Sequence, residues 1–205
     1  GDTGRVPYGG RSRETITQYV KDDMELLLSH DVKAVVIACN TADSMAKSEV
    51  EKLYDVPVVG VVAPAAMKAA KASKNGRIGV IGTKATVRSE AYVSAINRFA
   101  PDARVFAAAC PLLVPLVEEG RFRRGDTVVE TVLKEYLTPL KDRGIDTLIL
   151  GCTHYPLLYD IVADILPDVS IICSGPASTE ALIKTLEQND LLNPSLSTGT
   201  IKYFV

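Results

Sequence analysis

The chain has 205 residues, 47% of them hydrophobic and 23% charged, which is ample for a packed core in one or two compact domains and argues against disorder. Its 23 basic and 25 acidic residues are mixed along the chain and leave a net charge of −2, so neither nucleic acid nor an anionic membrane is expected as its main partner. No apolar run is long enough to span a bilayer and Gly1-Asp2-Thr3-Gly4-Arg5 is not a signal peptide, so the protein is expected to be cytoplasmic.

Ile16, Val20, Met24 and Leu27 recur every three or four residues, a period that predicts an amphipathic helix. Continuous runs rich in β-branched residues follow at 34–38, 56–62, 77–81 and 103–108. Val128, Val129, Val132, Leu133, Leu137 and Leu140 then mark a second long helix, and further apolar runs occupy 147–150 and 169–173. Such runs, bounded by turn residues, predict strands buried on both faces in a parallel sheet covered by helices. Alternation of strand and helix gives the α/β class. The chain stops on another apolar, strand-like run, 200–205.

An offset of 113 positions carries Cys39 onto Cys152, and their surroundings follow: Val35-Val36-Ile37-Ala38 falls on Leu148-Ile149-Leu150-Gly151, and Val58-Val59 falls on Ile171-Ile172. Two similar domains with parallel sheets flanked by helices, related by a pseudo-two-fold axis, are the simplest account, although ordinary βαβ units also look alike. The expected division is 1–65 with 176–205 against 66–175. The strand at 77–83 has no counterpart in the first half, so the first domain is expected to lack its leading strand and helix.

Cys39, Cys110, Cys152 and Cys173 are widely spaced and are expected to be free thiols in a reducing compartment. Cys39 and Cys152 each stand where a buried strand gives way to a polar turn and a helix. In open α/β sheets this carboxyl edge binds ligands, and a helix start is expected to lower a thiol's pKa. Asn40-Thr41 and Thr153-His154 add hydrogen-bonding side chains. Two matched thiols suit the inversion of an α-carbon, where one proton leaves one face and another arrives on the opposite face. Neither a G-x-x-x-x-G-K-[ST] loop nor a G-x-G-x-x-G fingerprint occurs, so no cofactor is expected. A carbanion would then rely on backbone N–H groups in a water-excluded cleft. Two structural thiols remain an alternative, as does a non-catalytic module holding a small dicarboxylate. A zinc site from Cys39, Cys152 and His154 is disfavoured by the tight Cys-x-His spacing, so no metal is expected.

Four segments in order, Asp2-Thr3-Gly4-Arg5-Val6-Pro7-Tyr8-Gly9, Ala38-Cys39-Asn40-Thr41-Ala42, Pro115-Leu116-Val117-Glu118 and Gly151-Cys152-Thr153-His154-Tyr155-Pro156, resemble glutamate racemases over essentially the whole chain. The Pro-Tyr-Gly and Glu118 segments favour this family over the related aspartate racemases. The resemblance implies an active site in the cleft between two domains, a homodimer, and cofactor-free interconversion of L- and D-glutamate that supplies D-glutamate for bacterial peptidoglycan. It implies that Cys39 takes the proton from D-glutamate and Cys152 from L-glutamate, with His154 and Glu118 assisting. Pro7, Tyr8, Gly9, Asn40, Thr41, Thr83, Thr86 and Thr153 are implied as substrate contacts. The alternatives are a structural helix-start role for His154 and a solvated helix end at Glu118. Cys110 and Cys173 are read as thiols without catalytic duty. The family opens with a strand ending in an Asp-Ser pair that has no counterpart in this sequence. The 205-residue chain is therefore expected to exchange the α-hydrogen of glutamate with solvent only weakly; full-strength turnover in an isotope-exchange assay would contradict this.

Overall fold

The computed structural model describes residues 1–195 and 197–205. After two single 3₁₀ turns, α1 (Arg13–Leu28) begins where the Ser12 hydroxyl accepts from the Thr15 backbone N–H at 3.2 Å, a side-chain N-cap. Then come β1 (Val35–Ile37), α2 (Asn40–Leu53), β2 (Val58–Gly60) and α3 (Val62–Ala72). β1 and β2 form a two-stranded parallel sheet. Ile16, Val20 and Met24 of α1 and Met45, Ala46 and Val50 of α2 pack onto Val35, Ile37 and Val58.

The second part runs β3 (Arg77–Gly82), α4 (Lys84–Arg88), α5 (Ala91–Phe99), β4 (Arg104–Ala109), α6 (Leu113–Glu118), α7 (Thr127–Asp142), β5 (Thr147–Gly151), α8 (Tyr159–Ile165), β6 (Ser170–Cys173) and α9 (Ser174–Gln188). Its strands form a parallel sheet in the order β4-β3-β5-β6. Asp126 caps α7 by accepting from the Val128 N–H at 3.0 Å. Val129, Leu133, Leu137 and Leu140 of α7 lie against Leu148 and Leu150 on one face of the sheet. Ala65, Ala69, Tyr92 and Ile96 of α3 and α5 cover Ile78, Val80 and Ile149 on the other. Each such Val, Leu or Ile side chain contributes roughly 1.5–3 kcal/mol on burial.

The 113-residue repeat extends to strand register. Val35 pairs with Val58 and Ile37 with Gly60, while Leu148 pairs with Ile171 and Leu150 with Cys173, so each pair maps onto the other at the same offset. All six predicted strands and both periodic helices occur, as does the α/β architecture.

Three expectations change. β1 is not buried on both faces: α1 and α2 cover the side of Val35 and Ile37, and Val36 on the opposite side is 38% exposed. β4 and β6 are only partly buried because they form the two edges of their sheet. Among the described residues the apolar end at 200–205 pairs with no strand; it is irregular and exposed, anchored where Phe204 packs on His30 at 4.7 Å and its carbonyl accepts from the Gly1 ammonium. Among the described residues no helix is long and apolar enough to cross a membrane.

Leu133 is fully buried in the larger core. Leu133→Ala is expected to cost about 2–5 kcal/mol in urea unfolding, as a cavity-forming truncation in a packed interior does.

Candidate active site

Parallel strands deliver their carboxyl ends to one edge of a sheet, and all four cysteines sit at such ends. Cys39 follows β1, Cys110 follows β4, Cys152 follows β5 and Cys173 closes β6; all are free thiols. Cys39 is the N-cap of α2. Cys152, 7% exposed, is followed by a turn and a 3₁₀ segment, Tyr155–Leu158, before α8 begins. The expected matched helix starts are therefore matched only in part, because Pro156 and the packing of Tyr155 tighten the second turn.

The two sulfurs nevertheless meet the same set of donors. A Cys39 thiolate is favoured by the backbone N–H groups of Ala42 and Thr41 and by the Thr41 hydroxyl. A Cys152 thiolate is favoured by the N–H groups of His154 and Thr153 and by the Thr153 hydroxyl. Burial opposes both and wins: it pushes the Cys39 thiol up, and the Cys152 thiol up to about 11. Desolvation of a charged sulfur thus outweighs the pull of the helix start, and the expected net lowering of thiol pKa does not hold. Charge on Cys39 further disfavours thiolate at Cys152.

Side chains from the two sheets interlock between them. The Tyr92 hydroxyl of α5 donates to Asn40 Oδ1 at 2.6 Å, and Asn40 Nδ2 donates to Ser174 Oγ at 3.3 Å. The Thr41 hydroxyl lies 3.0 Å from that of Thr83 and 3.3 Å from that of Thr86, and the last two are 3.0 Å apart. Tyr92 also borders the Cys152 strand, where a Cβ on Gly151 would come within 3.1 Å of the ring and 2.7 Å of the Ile81 carbonyl oxygen. The backbone beside Cys152 can run this close to β3 only because residue 151 has no side chain.

The remaining predicted residues divide. His154 Nδ1 lies 3.7 Å from Cys152 Sγ, and His154 Nε2 lies 2.5 Å from Glu118 Oε1, so Cys152, His154 and Glu118 form a line from the interior to the surface. The carboxylate can only accept, which puts the ring proton on Nε2 and leaves Nδ1 free to take a proton. Gly9 lies against Thr83, where a Cβ would come within 2.8 Å of the Thr83 Cβ. The Tyr8 hydroxyl is held by the Asp2 carboxylate and its ring packs on Tyr19, while Pro7 is exposed. Asn40, Thr41 and Thr86 are buried and Thr153 is exposed. Two cavities in the structure, one lined by Val80, Thr86 and Tyr92 and the other by Ser73, Asn75 and Asp102, touch neither Cys39 nor Cys152. Among the described residues no group of three His, Cys, Asp or Glu side chains is placed to hold a metal ion, so the Cys39, Cys152 and His154 set forms no such site.

Sequence reasoning missed Tyr92, Ser174 and Asp43. Tyr92 reads as one more apolar residue of an amphipathic helix, and Ser174 as a turn residue. Asp43 carried a usable signal, an acidic residue in the first turn of a helix.

The sequence profile of the family described as Asp/Glu/Hydantoin racemase matches residues 6–182. A curated relative, the glutamate racemase of Persephonella marina, is 46% identical over 205 residues, which cover 100% of this chain and 76% of the relative. A glutamate racemase isoform from Bacillus anthracis superposes with a TM-score of 0.90 at 40% identity, over 96% of this chain and 73% of its own. The glutamate racemase from Francisella tularensis, solved in complex with D-glutamate, gives 0.88 at 37% identity, over 95% and 72%.

Burial also pushes the Cys110 thiol up to about 12. The ordinary thiol value is 9.0, so between these values the unfolded chain loses protons that the folded one keeps. Stability from the neutral buried thiols is complete below pH 9 and is lost as pH rises through the folded values. Urea midpoints are expected to fall from pH 9 upward, and less steeply in a Cys110→Ser, Cys152→Ser variant.

Proposed function

Because the chain belongs to the Asp/Glu/Hydantoin racemase family, we propose that it interconverts L- and D-glutamate without a cofactor, with Cys39 and Cys152 as the two acid/base groups. The observation that carries the reading is the pair of thiols at equivalent strand ends of the repeat, Cys152 buried and Cys39 half-buried, each followed by hydrogen-bonding residues. The substrate assignment draws on relatives named as glutamate racemases at 37–46% identity. D-Glutamate made this way would serve bacterial peptidoglycan, in keeping with the bacterial relatives.

In the L-to-D direction the Cys152 thiolate takes the α-hydrogen as a proton, and the electron pair of the broken C–H bond remains on the α-carbon. The Cys39 thiol then gives its proton to the opposite face. Cys152 ends as thiol and Cys39 as thiolate, and the reverse reaction exchanges their roles. His154 Nδ1 is placed to take the proton from Cys152 before the reaction, with Glu118 holding the opposite ring nitrogen. Thr41, Thr83, Thr86, Asn40 and Thr153, together with Gly9 and its neighbours Pro7 and Tyr8, are read as the polar lining that holds the substrate. The high thiol pKa fits this chemistry, since a sulfur poorly solvated as a thiolate is a stronger base toward a weakly acidic C–H bond.

The division into 1–65 with 176–205 and 66–175 belongs to the same proposal. It is supported by α3, which packs against the second sheet, and by α9, which lies against β2 of the first part. A cytoplasmic homodimer acting on this small molecule, with neither nucleic acid nor membrane as partner, completes the reading.

Cys39→Ser and Cys152→Ser are each expected to lower glutamate racemisation by about 10²–10⁴-fold, the usual contribution of a positioned acid/base group, with His154→Asn intermediate. Racemisation is followed by polarimetry, and binding of D-glutamate by calorimetry. Glutamate binding that survives both serine substitutions, in a wild-type chain without turnover, would favour a dicarboxylate-binding module. Faster turnover of aspartate would favour the related aspartate racemase.

A further inference from the structure

Asp43 is a carboxylate only 7% exposed, and no step of the reaction above uses it. It lies in the first turn of α2, and its backbone N–H donates to the Cys39 carbonyl oxygen at 2.9 Å. Its side chain reaches the crossover after β2, where Oδ2 accepts from the backbone N–H groups of Val61 at 2.7 Å and Val62 at 2.6 Å. Those amides open α3, whose Ala65, Ala66 and Ala69 pack with Ile78, Val80 and Ile149 of the second sheet. One side chain therefore joins the turn that carries Cys39 to a helix seated on the strand that leads to Cys152. Gly60 makes room for it: a Cβ there would lie 2.2 Å from Asp43 Oδ1, so the carboxylate rests on the bare backbone of β2.

We propose that Asp43 is a positioning residue for Cys39: by tying the first turn of α2 to the start of α3, its carboxylate fixes the Cys39 sulfur relative to the half of the molecule that carries Cys152. The kinetic part of this inference rests on the racemase reading; the placement of Cys39 does not. Proton transfer from carbon demands close placement, and a shift of about 1 Å can cost roughly 100-fold in rate. Removing the carboxylate also leaves two buried amides without an acceptor. Its negative charge disfavours a Cys39 thiolate in addition to the larger effect of burial. The other ionisable groups around this turn are Cys152 at the end of β5, Tyr92 of α5, Arg13 of α1, and Lys47 and Glu51 farther along α2. The variants below leave all of them in place.

The test uses the full 205-residue chain with Asp43→Asn and Asp43→Ala. Iodoacetamide alkylation is followed against pH at Cys39 and Cys152 separately, by peptide mass spectrometry, beside kcat, KM and circular dichroism. Asparagine keeps an oxygen acceptor for the two amides and drops the charge. It is expected to lower the Cys39 alkylation midpoint by about half a pH unit or more, with no fall in the Cys152 midpoint. Asp43→Ala is expected to lower kcat about 100-fold with KM within about twofold, and Asp43→Asn to recover most of that loss. The proposal is overturned if Asp43→Ala keeps kcat within about threefold of wild type, if Asp43→Asn is as impaired as Asp43→Ala, or if the two midpoints move together. Should the alanine variant fail to fold, the asparagine variant decides, and an unshifted Cys39 midpoint overturns the proposal. A wild-type chain that shows not even weak racemisation would sink the racemase reading alone, since the alkylation arm still reads the surroundings of Cys39.

Discussion

Taking charge out of water at a sulfur atom is the constraint around which this molecule is arranged. Cys39 and Cys152 are held at strand ends where burial opposes the thiolate, while the N–H groups and the threonine hydroxyl of the residues that follow each cysteine favour it. A parallel sheet makes this possible, because the amides that follow each strand have no partner within the sheet and converge on one edge. The same geometry repeated at an offset of 113 residues, down to the pairing of Val35 with Val58 and of Leu148 with Ile171, presents two such sites with equivalent surroundings.

Near-equivalence suits a reaction that is its own mirror image, and the departures from it are informative. Cys152 has an imidazole at 3.7 Å and a carboxylate behind it, a route by which its proton can reach the surface. Cys39 has no histidine beside it and is bounded instead by Asp43, whose charge works against ionisation. The two thiols therefore differ in how they gain and lose protons, while sharing the donors that steady the charged form.

Between the sulfurs the protein is polar and interlocked. Asn40 is gripped by Tyr92 and Ser174, and three threonine hydroxyls from two separate segments form a triangle. All of these contacts except the one between Thr83 and Thr86 join elements of different sheets, so the relative placement of the halves and the geometry of the site are one property. Close packing around Gly60, Gly151 and Gly9 has the same character: each lacks a Cβ where Asp43, Ile81 and Thr83, respectively, occupy the space.

Residue type and spacing alone determined the local elements. The 3.6-residue period placed α1 and α7, the β-branched runs placed the six strands, and the repeated Ala/Gly-Cys-polar segments picked out Cys39 and Cys152 with their neighbours Asn40, Thr41, Thr153 and His154. Such features are legible because they depend on contacts within a few residues or on one repeated pattern. Only the tertiary structure decided that Val36 is exposed and β4 only partly buried, that residues 200–205 are irregular, and that Tyr92, Ser174 and Asp43 contact the segments around Cys39. It also decided the sign of the thiol shifts, because desolvation depends on everything packed around a sulfur, whereas the opposing N–H groups come from the next two or three residues. The local pull could be read along the chain; the stronger opposing force came from neighbours distant in sequence.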